Sequence, residues 1–378
     1  MSSNLEAIRV AFDHQVFVQP YGGISRYFVR LVQGLLSLGE EANIVAPLHR
    51  NRYLHQLPAH RVYGFRFNRR PPKSKMLIAA VNRQIGSLRL KSYHPDLLHE
   101  TYYTEKPLKG SFKGRVITVY DMIHEKFPSE FRAEDPTSRI KRIAISRADH
   151  IICISHNTKK DLCELFDVPE DRVSVTHLGI EKFEISESST SPDAGTRPYL
   201  LYVGHRGGYK NFIAMIKAVA SRAVLQNSFD IVAFGGRPFN SNEQSTINTL
   251  GFRKGAVRQI GGDDYVLGTL YSGATAFVYP SLYEGFGLPP LEAMAHACPV
   301  VTSNTSSLPE IVGPAGEYFD PTDLDSQAGA ICKAVFDTER RKELILEGHQ
   351  RLNQFSWFRC ATETREIYRA VLRSQGIQ

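Results

Sequence analysis

One pattern occurs twice in this chain and constrains its fold more than any other feature. Residues 8–36 run from an apolar stretch (Ile8 to Phe12) through a loop with Gly22-Gly23 into an amphipathic helix from Ile24 to Leu36. Residues 199–220 repeat it: an apolar stretch from Tyr199 to Val203, the loop Gly204-His-Arg-Gly-Gly, and a helix from Asn211 to Ala220. A short apolar run passing into a helix is the start of a strand–crossover unit, so each segment opens its own parallel sheet. Further strands are expected at 42–46, 97–99, 116–120, 150–154, 173–177, 231–234, 276–279 and 300–302, with a closing helix from Trp357 to about Arg373. The stretch EKFEISESSTSPDAGTRP (181–198) carries the Ser, Pro and Gly content of a linker. Two Rossmann-like domains, 1–190 and 199–356, joined near 185–198, follow from this, and 378 residues suffice for both.

The composition is that of a soluble globular protein, with 42% hydrophobic and 22% charged residues and no apolar run long enough to span a bilayer. The opening MSSNLEAIRVAF lacks the basic and apolar regions of a secretory signal, and the five scattered cysteines show no metal-ligand spacing. Free thiols in the cytoplasm are expected. The charge is lopsided: residues 1–190 hold 28 Lys+Arg against 21 Asp+Glu, and the remainder holds 18 of each. From Arg50 to Lys91 there are eleven basic residues and no acid. No nucleic-acid recognition module accompanies this run, so an anionic membrane surface or a lipid-pyrophosphate acceptor is the expected partner.

The chemistry concentrates in PSLYEGFGLPPLEAMAHACPV (280–300). Pro289-Pro290 opens a short helix, whose unpaired N–H groups and positive dipole end favour a phosphate. Glu284 lies in the loop ahead of that anion site, and Glu292, eight residues on, lies about one turn inside the helix. One carboxylate can face what the phosphate carries while the other accepts hydrogen bonds from a diol such as ribose. In YVGHRGGYKNF (202–212), Arg206 and Lys210 sit on a glycine loop between strand and helix, where two cations can neutralise a diphosphate leaving group. In QPYGGISRYF (19–28), Gly22 and Gly23 allow close approach of a ligand to backbone. Neither first strand is followed by a dinucleotide glycine fingerprint, which disfavours an oxidoreductase.

The string E-G-F-G-L-P-P-L-E-A-M resembles the E-x7-E signature of the family 4 retaining glycosyltransferases, which have the GT-B fold: two Rossmann-like domains facing each other across a cleft. The resemblance covers nearly the whole chain and is densest over 199–320. It implies that the first domain takes the acceptor and the second the nucleotide sugar, and that the closing helix (357–378) packs back on the first. It places Glu284 at the donor sugar, Glu292 on the ribose, and Gly204, Arg206 and Lys210 at the donor pyrophosphate. Gly22 and Gly23 would lie over the donor phosphates. Gly285, Phe286, Gly287, Leu288 and Ser307 complete the donor loops; FGGRPF (234–239), which ends a strand, reads either as edging the base or as an ordinary loop. The loop VITVYDMIHEKFP (116–128) departs from the His-Asp pair of many relatives: Tyr120 stands at the His position while Asp121 remains. Asp121 is expected to orient a sugar hydroxyl or the nucleophile, His124 is the alternative imidazole, and His99, Glu100 and Tyr102 are expected to line the acceptor cleft.

The implied activity is retaining hexosyl transfer from a nucleotide diphosphate sugar to a glycan or lipid-linked acceptor in polysaccharide or lipopolysaccharide synthesis. No metal and no cofactor are expected, since Arg206, Lys210 and helix N–H groups can hold the diphosphate and there is no D-x-D at a strand end. Front-side attack and double displacement both remain open. The loop VGHRGGYKNF resembles those of bacterial surface-polysaccharide mannosyltransferases, favouring GDP-mannose. The alternatives are a UDP-sugar donor, a GT-B-like epimerase, or a non-catalytic sugar-nucleotide binder.

Overall fold

The computed structural model describes residues 6–69, 71–181 and 197–376, and all but the edges of the expected linker lie outside them. The first sheet is built from β1 (Arg9–Phe12), β2 (Glu41–His49), β3 (Val62–Arg66), β4 (Leu97–Glu100), β5 (Gly114–Val119), β6 (His150–Cys153) and β7 (Val173–Val175), in the order β3-β2-β1-β4-β5-β6-β7. The second contains β8 (Tyr199–Val203), β9 (Asp230–Phe234), β10 (Val257–Ile260), β11 (Ala276–Tyr279), β12 (Val300–Ser303) and β13 (Gly316–Phe319), in the order β10-β9-β8-β11-β12-β13. Every pairing among them is parallel.

Both sheets begin in the middle. The chain winds outward from β1 through β2 to β3, then returns to the other side of β1 for β4; β8, β9, β10 and β11 do the same. That reversal leaves a crevice at the carboxyl ends of β1 and β4 in one sheet and of β8 and β11 in the other, the place where open α/β sheets bind ligands. Helices cover both faces of such sheets, which is why the central strands are apolar throughout. Val10, Ala11, Phe12, Leu97 and Leu98 are fully buried in the first. Leu200, Tyr202, Ile231, Val278 and Val301 join Met215, Ile216 and Val219 of the helix Phe212–Ala220 in the second.

Three strands lack that signature, and the sequence gives no expectation of them: β3, β10 and β13. All three are sheet edges. In β3, Tyr63 and Phe65 are exposed. Gly64 (φ +153°) lets β3 approach β2, since a Cβ there would lie 1.8 Å from the Ala46 carbonyl oxygen.

Among the described residues, one compact unit takes those up to Lys126, Phe131–Gly179 and those from Trp357 on; the other takes Phe127–Glu130 and Ile180–Ser356. The last helix, Trp357–Ser374, thus belongs to the first unit, against the helix Gly23–Ser37. Gly34 makes the approach close, because a Cβ there would fall 2.4 Å from the Ala361 Cβ. The helix also reaches the sheet. His99, on β4, shares hydrogen bonds with Tyr368 Oη (2.6 Å) through Nδ1 and with Thr118 Oγ1 (2.8 Å) through Nε2.

His99 and Glu100 therefore do not line an acceptor cleft. Both are wholly buried, and burial holds the His99 imidazole neutral, with its pKa down to about 3. Glu100 is clasped between Arg115 and Arg147. A central parallel strand has no solvent face, so its polar residues must find partners inside. Tyr368→Phe strands one nitrogen of His99 and is expected to cost about 1–3 kcal/mol. Urea unfolding followed by Trp357, the chain's single tryptophan and part of the same unit, measures it.

Candidate functional site

In the second unit the residues singled out from the sequence sit on three loops at the carboxyl ends of β8, β11 and β12. The loop after β8 (204–211) turns through Gly204 (φ +134°) and ends at Asn211 (φ +59°), which precedes the helix Phe212–Ala220. The loop after β11 (280–287) ends at Gly287 (φ +122°), the N-cap of the helix Leu288–Ala295. Only glycine fits there, since the backbone is left-handed and a Cβ would lie 3.2 Å from Leu308. Pro289 and Pro290 fall in the first turn, where their missing N–H groups break no helical bond.

These two loops are stitched across the switch point. The Leu282 N–H donates to the Tyr209 carbonyl at 2.7 Å. Beside it, Lys210 Nζ donates to Glu284 Oε1 at 2.6 Å, with the Tyr279 hydroxyl 3.4 Å from the same nitrogen. Both partners are nearly buried, at 14% and 10% exposure. The Tyr279 phenol is pushed far above its usual range by burial and by the Glu284 charge. Burial, and then Lys210, lowers the pKa of His205.

The loop after β12 supports the Glu284 loop from below. Ser306, in the left-handed region (φ +53°), accepts from the Glu284 N–H at 2.9 Å. Ser307, fully buried, reaches both the Glu284 carbonyl (2.9 Å) and the Phe286 carbonyl (2.6 Å) with its hydroxyl. Thr305 Oγ1 donates to the Leu282 carbonyl at 3.1 Å. Ser307 thus sets the conformation of Gly285 and Phe286 through its side chain. Phe286 is buried edge-on against Phe355, and Leu288 is half-buried.

Glu292 lies on the helix beyond. Tyr271 Oη donates to its Oε2 at 3.2 Å, and His296 Nδ1 donates to its carbonyl at 2.8 Å. Tyr271 stacks on His296 and is itself fully buried, so the Glu292 carboxylate is aimed by a rigid pair. Neither Tyr271 nor His296 stands out in the sequence, because the contact is made across elements.

Arg206 is not beside Lys210 and Glu284. Its guanidinium is turned inward, donating to Glu243 Oε1 (2.8 Å), to the Gly235 carbonyl (3.2 Å) and to the Arg237 carbonyl (2.5 Å), over the Phe239 ring. Glu243 in turn closes the capping box of the helix Ser241–Thr249. The loop FGGRPF therefore serves as the seat of Arg206.

The first unit has its own switch-point site. A cavity of about 260 Å3 is lined by Gln15, Val16, Gln19, Gly22, Gly23 and Tyr102, among others. Neither glycine is required by packing: a Cβ at Gly22 would meet only ordinary contacts and one at Gly23 nothing within 4 Å. Asp121 accepts from the Ile123 N–H at 3.1 Å, capping a short helical turn, and His124 stacks on Phe131. Tyr120 is buried, its hydroxyl bound to the Thr101 carbonyl.

Asp13, immediately after β1, carries no signal in the sequence. It is wholly buried and accepts from the Thr101 N–H (2.9 Å) and the Thr101 hydroxyl. Burial first, and then the Glu100 charge, lifts its pKa from 3.8 to about 7. Burial also drops that of His14 to about 4.

Two parallel α/β units of this topology, one bearing the Lys210, Glu284 and Glu292 loops, define a glycosyltransferase of the GT-B fold. Residues 21–182 match the family model described as Glycosyltransferase Family 4, and residues 184–351 that described as Glycosyl transferases group 1. The chain belongs to the family 4 glycosyltransferases. It is 27% identical over 385 residues to the O-antigen chain mannosyltransferase B of Escherichia coli, covering 96% of this chain and 100% of that one. It is 26% identical over 222 residues to the O-antigen chain mannosyltransferase RfbU of Salmonella typhimurium, covering 58% of this chain and 60% of that one. The sucrose-phosphate synthase from Thermosynechococcus elongatus shares its fold, with a TM-score of 0.72 at 19% identity over 98% of this chain and 100% of that one.

The Asp13 shift carries a stability consequence. The folded chain keeps a proton that the unfolded chain releases above pH 3.8, so this contribution is complete below 3.8 and is lost as pH rises through about 7. Asp13→Asn keeps the acceptor toward Thr101 and removes that loss. Between about pH 5 and pH 8 the variant is expected to gain on the wild type by on the order of 1–4 kcal/mol, read from urea unfolding across that range.

Proposed function

We propose that this chain transfers a mannosyl residue from GDP-mannose, with retention at the anomeric carbon and without a metal ion, to a glycan or lipid-pyrophosphate-linked acceptor during surface-polysaccharide assembly. The similarity along 96% of this chain to an O-antigen chain mannosyltransferase supports the sugar and the pathway. The observation that carries the chemistry is the Lys210–Glu284 pair at the switch point, 2.6 Å apart and nearly buried. An incoming diphosphate offers Lys210 a second anion, at the positive dipole end of the helix Leu288–Ala295. Glu284, released from Lys210, can then accept from the sugar hydroxyls, while Glu292, aimed by Tyr271, accepts from the ribose. Arg206 acts by fixing the loop that presents Lys210.

In the front-side version of this reaction the bond from the anomeric carbon to the leaving phosphate breaks. The acceptor oxygen bonds to that carbon on the same face, and the acceptor proton passes to the departing phosphate oxygen. Lys210 stabilises the charge that develops there. Asp121 and the cavity at Gly22 and Gly23 are the functional features assigned to the first unit. The basic run from Arg50 to Lys91 is assigned to contact with an anionic membrane from the cytoplasmic side. No helix among the described residues is long and apolar enough to cross a membrane.

Thermal unfolding against GDP, UDP, CDP and dTDP tests the donor. Stabilisation by GDP is expected, and a response to UDP alone overturns the choice of nucleotide. Lys210→Met and Glu284→Gln are each expected to lower kcat by about a hundredfold or more, the scale of losing one transition-state partner in a buried site. Absence of turnover in the wild type with any nucleotide sugar would favour a binding protein instead.

A further inference from the structure

A second cavity lies in the first unit, of about 500 Å3, between the helix Lys75–Tyr93 and the segment 105–109. Its walls are fixed by packing. Leu108 is buried against Gly86, where a Cβ would sit 3.0 Å from a Leu108 methyl, and the Lys109 N–H donates to Ser87 Oγ at 2.9 Å. Four cations line it: Arg83, Lys91, Lys106 and Lys109. The single acid among its lining residues, Glu105, is already paired with Arg139. Among the described residues no carboxylate forms an ion pair with any of the four, so the cavity holds an uncompensated positive field.

The helix that walls the cavity also carries exposed leucines. Leu88 lines the cavity and is 65% exposed; Leu77, 67% exposed, lies eleven residues earlier on the same helix. Eleven residues are about three turns, which returns Leu77 to the face of Leu88. A glycan or a free nucleotide sugar gains nothing from such leucines, and no aromatic ring lines the cavity as a base platform would require. A phosphate attached to a hydrocarbon chain matches both parts: charge for the cavity, apolar surface for the leucines.

We propose that this cavity takes the phosphate headgroup of an anionic bilayer lipid, with Leu77 and Leu88 entering the acyl boundary. The proposal rests on the membrane contact assigned above and gives that contact a defined site. The test is co-sedimentation of the full chain with vesicles of phosphatidylcholine, with or without phosphatidylglycerol. Wild type is expected to bind only the mixed vesicles. Lys106→Glu/Lys109→Glu and Leu77→Ser/Leu88→Ser are each expected to weaken binding about tenfold or more, because a basic residue near the surface is worth about fivefold and a reversal counts twice. Arg52→Glu/Arg61→Glu, in the basic run from Arg50 to Lys91 but outside the cavity, is expected to lose clearly less. All three variants should unfold in urea like the wild type, since the altered side chains are exposed apart from the half-buried Arg61.

Equal losses from both charge reversals mean diffuse attraction and overturn the cavity. So does release of the chain by millimolar inorganic pyrophosphate with no effect of the leucine changes, which would mark a free-anion site. Failure of the wild type to bind mixed vesicles overturns the membrane contact and the cavity together.

Discussion

Every strand pairs in parallel with its neighbours, and much of the remaining architecture follows from that constraint. A parallel strand cannot be reached by a tight turn, so each is followed by a crossover that covers a face of the sheet. The central strands lose both faces to packing, and their polar residues must be satisfied internally. His99 and Glu100 show the consequence, one held by Tyr368 and Thr118, the other by Arg115 and Arg147. Chemistry is left to the loops at the carboxyl ends, above all where the winding order reverses. Lys210 follows β8 and Glu284 follows β11, the two strands that flank that reversal.

The site is therefore a loop assembly held together by its own ion pair and hydrogen bonds. Lys210 and Glu284 neutralise each other across the switch point, which lets two charges exist in a nearly dry place. Their backbones are tied by Tyr209 and Leu282, and Ser306 and Ser307 hold the glutamate loop by its N–H and carbonyl groups. Arg206 does comparable work from the other side, binding the carbonyls of Gly235 and Arg237. In the proposed reaction a diphosphate exchanges one anion for another at Lys210, and the loops need not be rebuilt.

Much of this was legible in the residues. The two strand–glycine loop–helix openings placed β1 and β8, and the glutamates with their glycines and prolines marked the donor loop, because these signals are local. Edge strands β3, β10 and β13 were not legible. An edge strand need not be apolar on both faces, and β3 reads as part of a basic run. Asp13 was missed for another reason: it follows an ordinary apolar strand, and its raised pKa comes from burial and from Glu100, eighty-seven residues away.

The sequence by itself determined the fold class, the two sheets and the donor-loop motif, since periodicity, glycine conformational freedom and helix-opening prolines act over a few residues. Only the tertiary structure decided which charged side chains meet. Arg206 and Lys210 stand four apart on one loop, yet one is spent on Glu243 inside the unit and the other faces Glu284. It also buried His99 instead of exposing it, and it gathered Arg83, Lys91, Lys106 and Lys109 around one cavity. Electrostatics and desolvation act through space, and the distances they depend on exist only once the chain has folded.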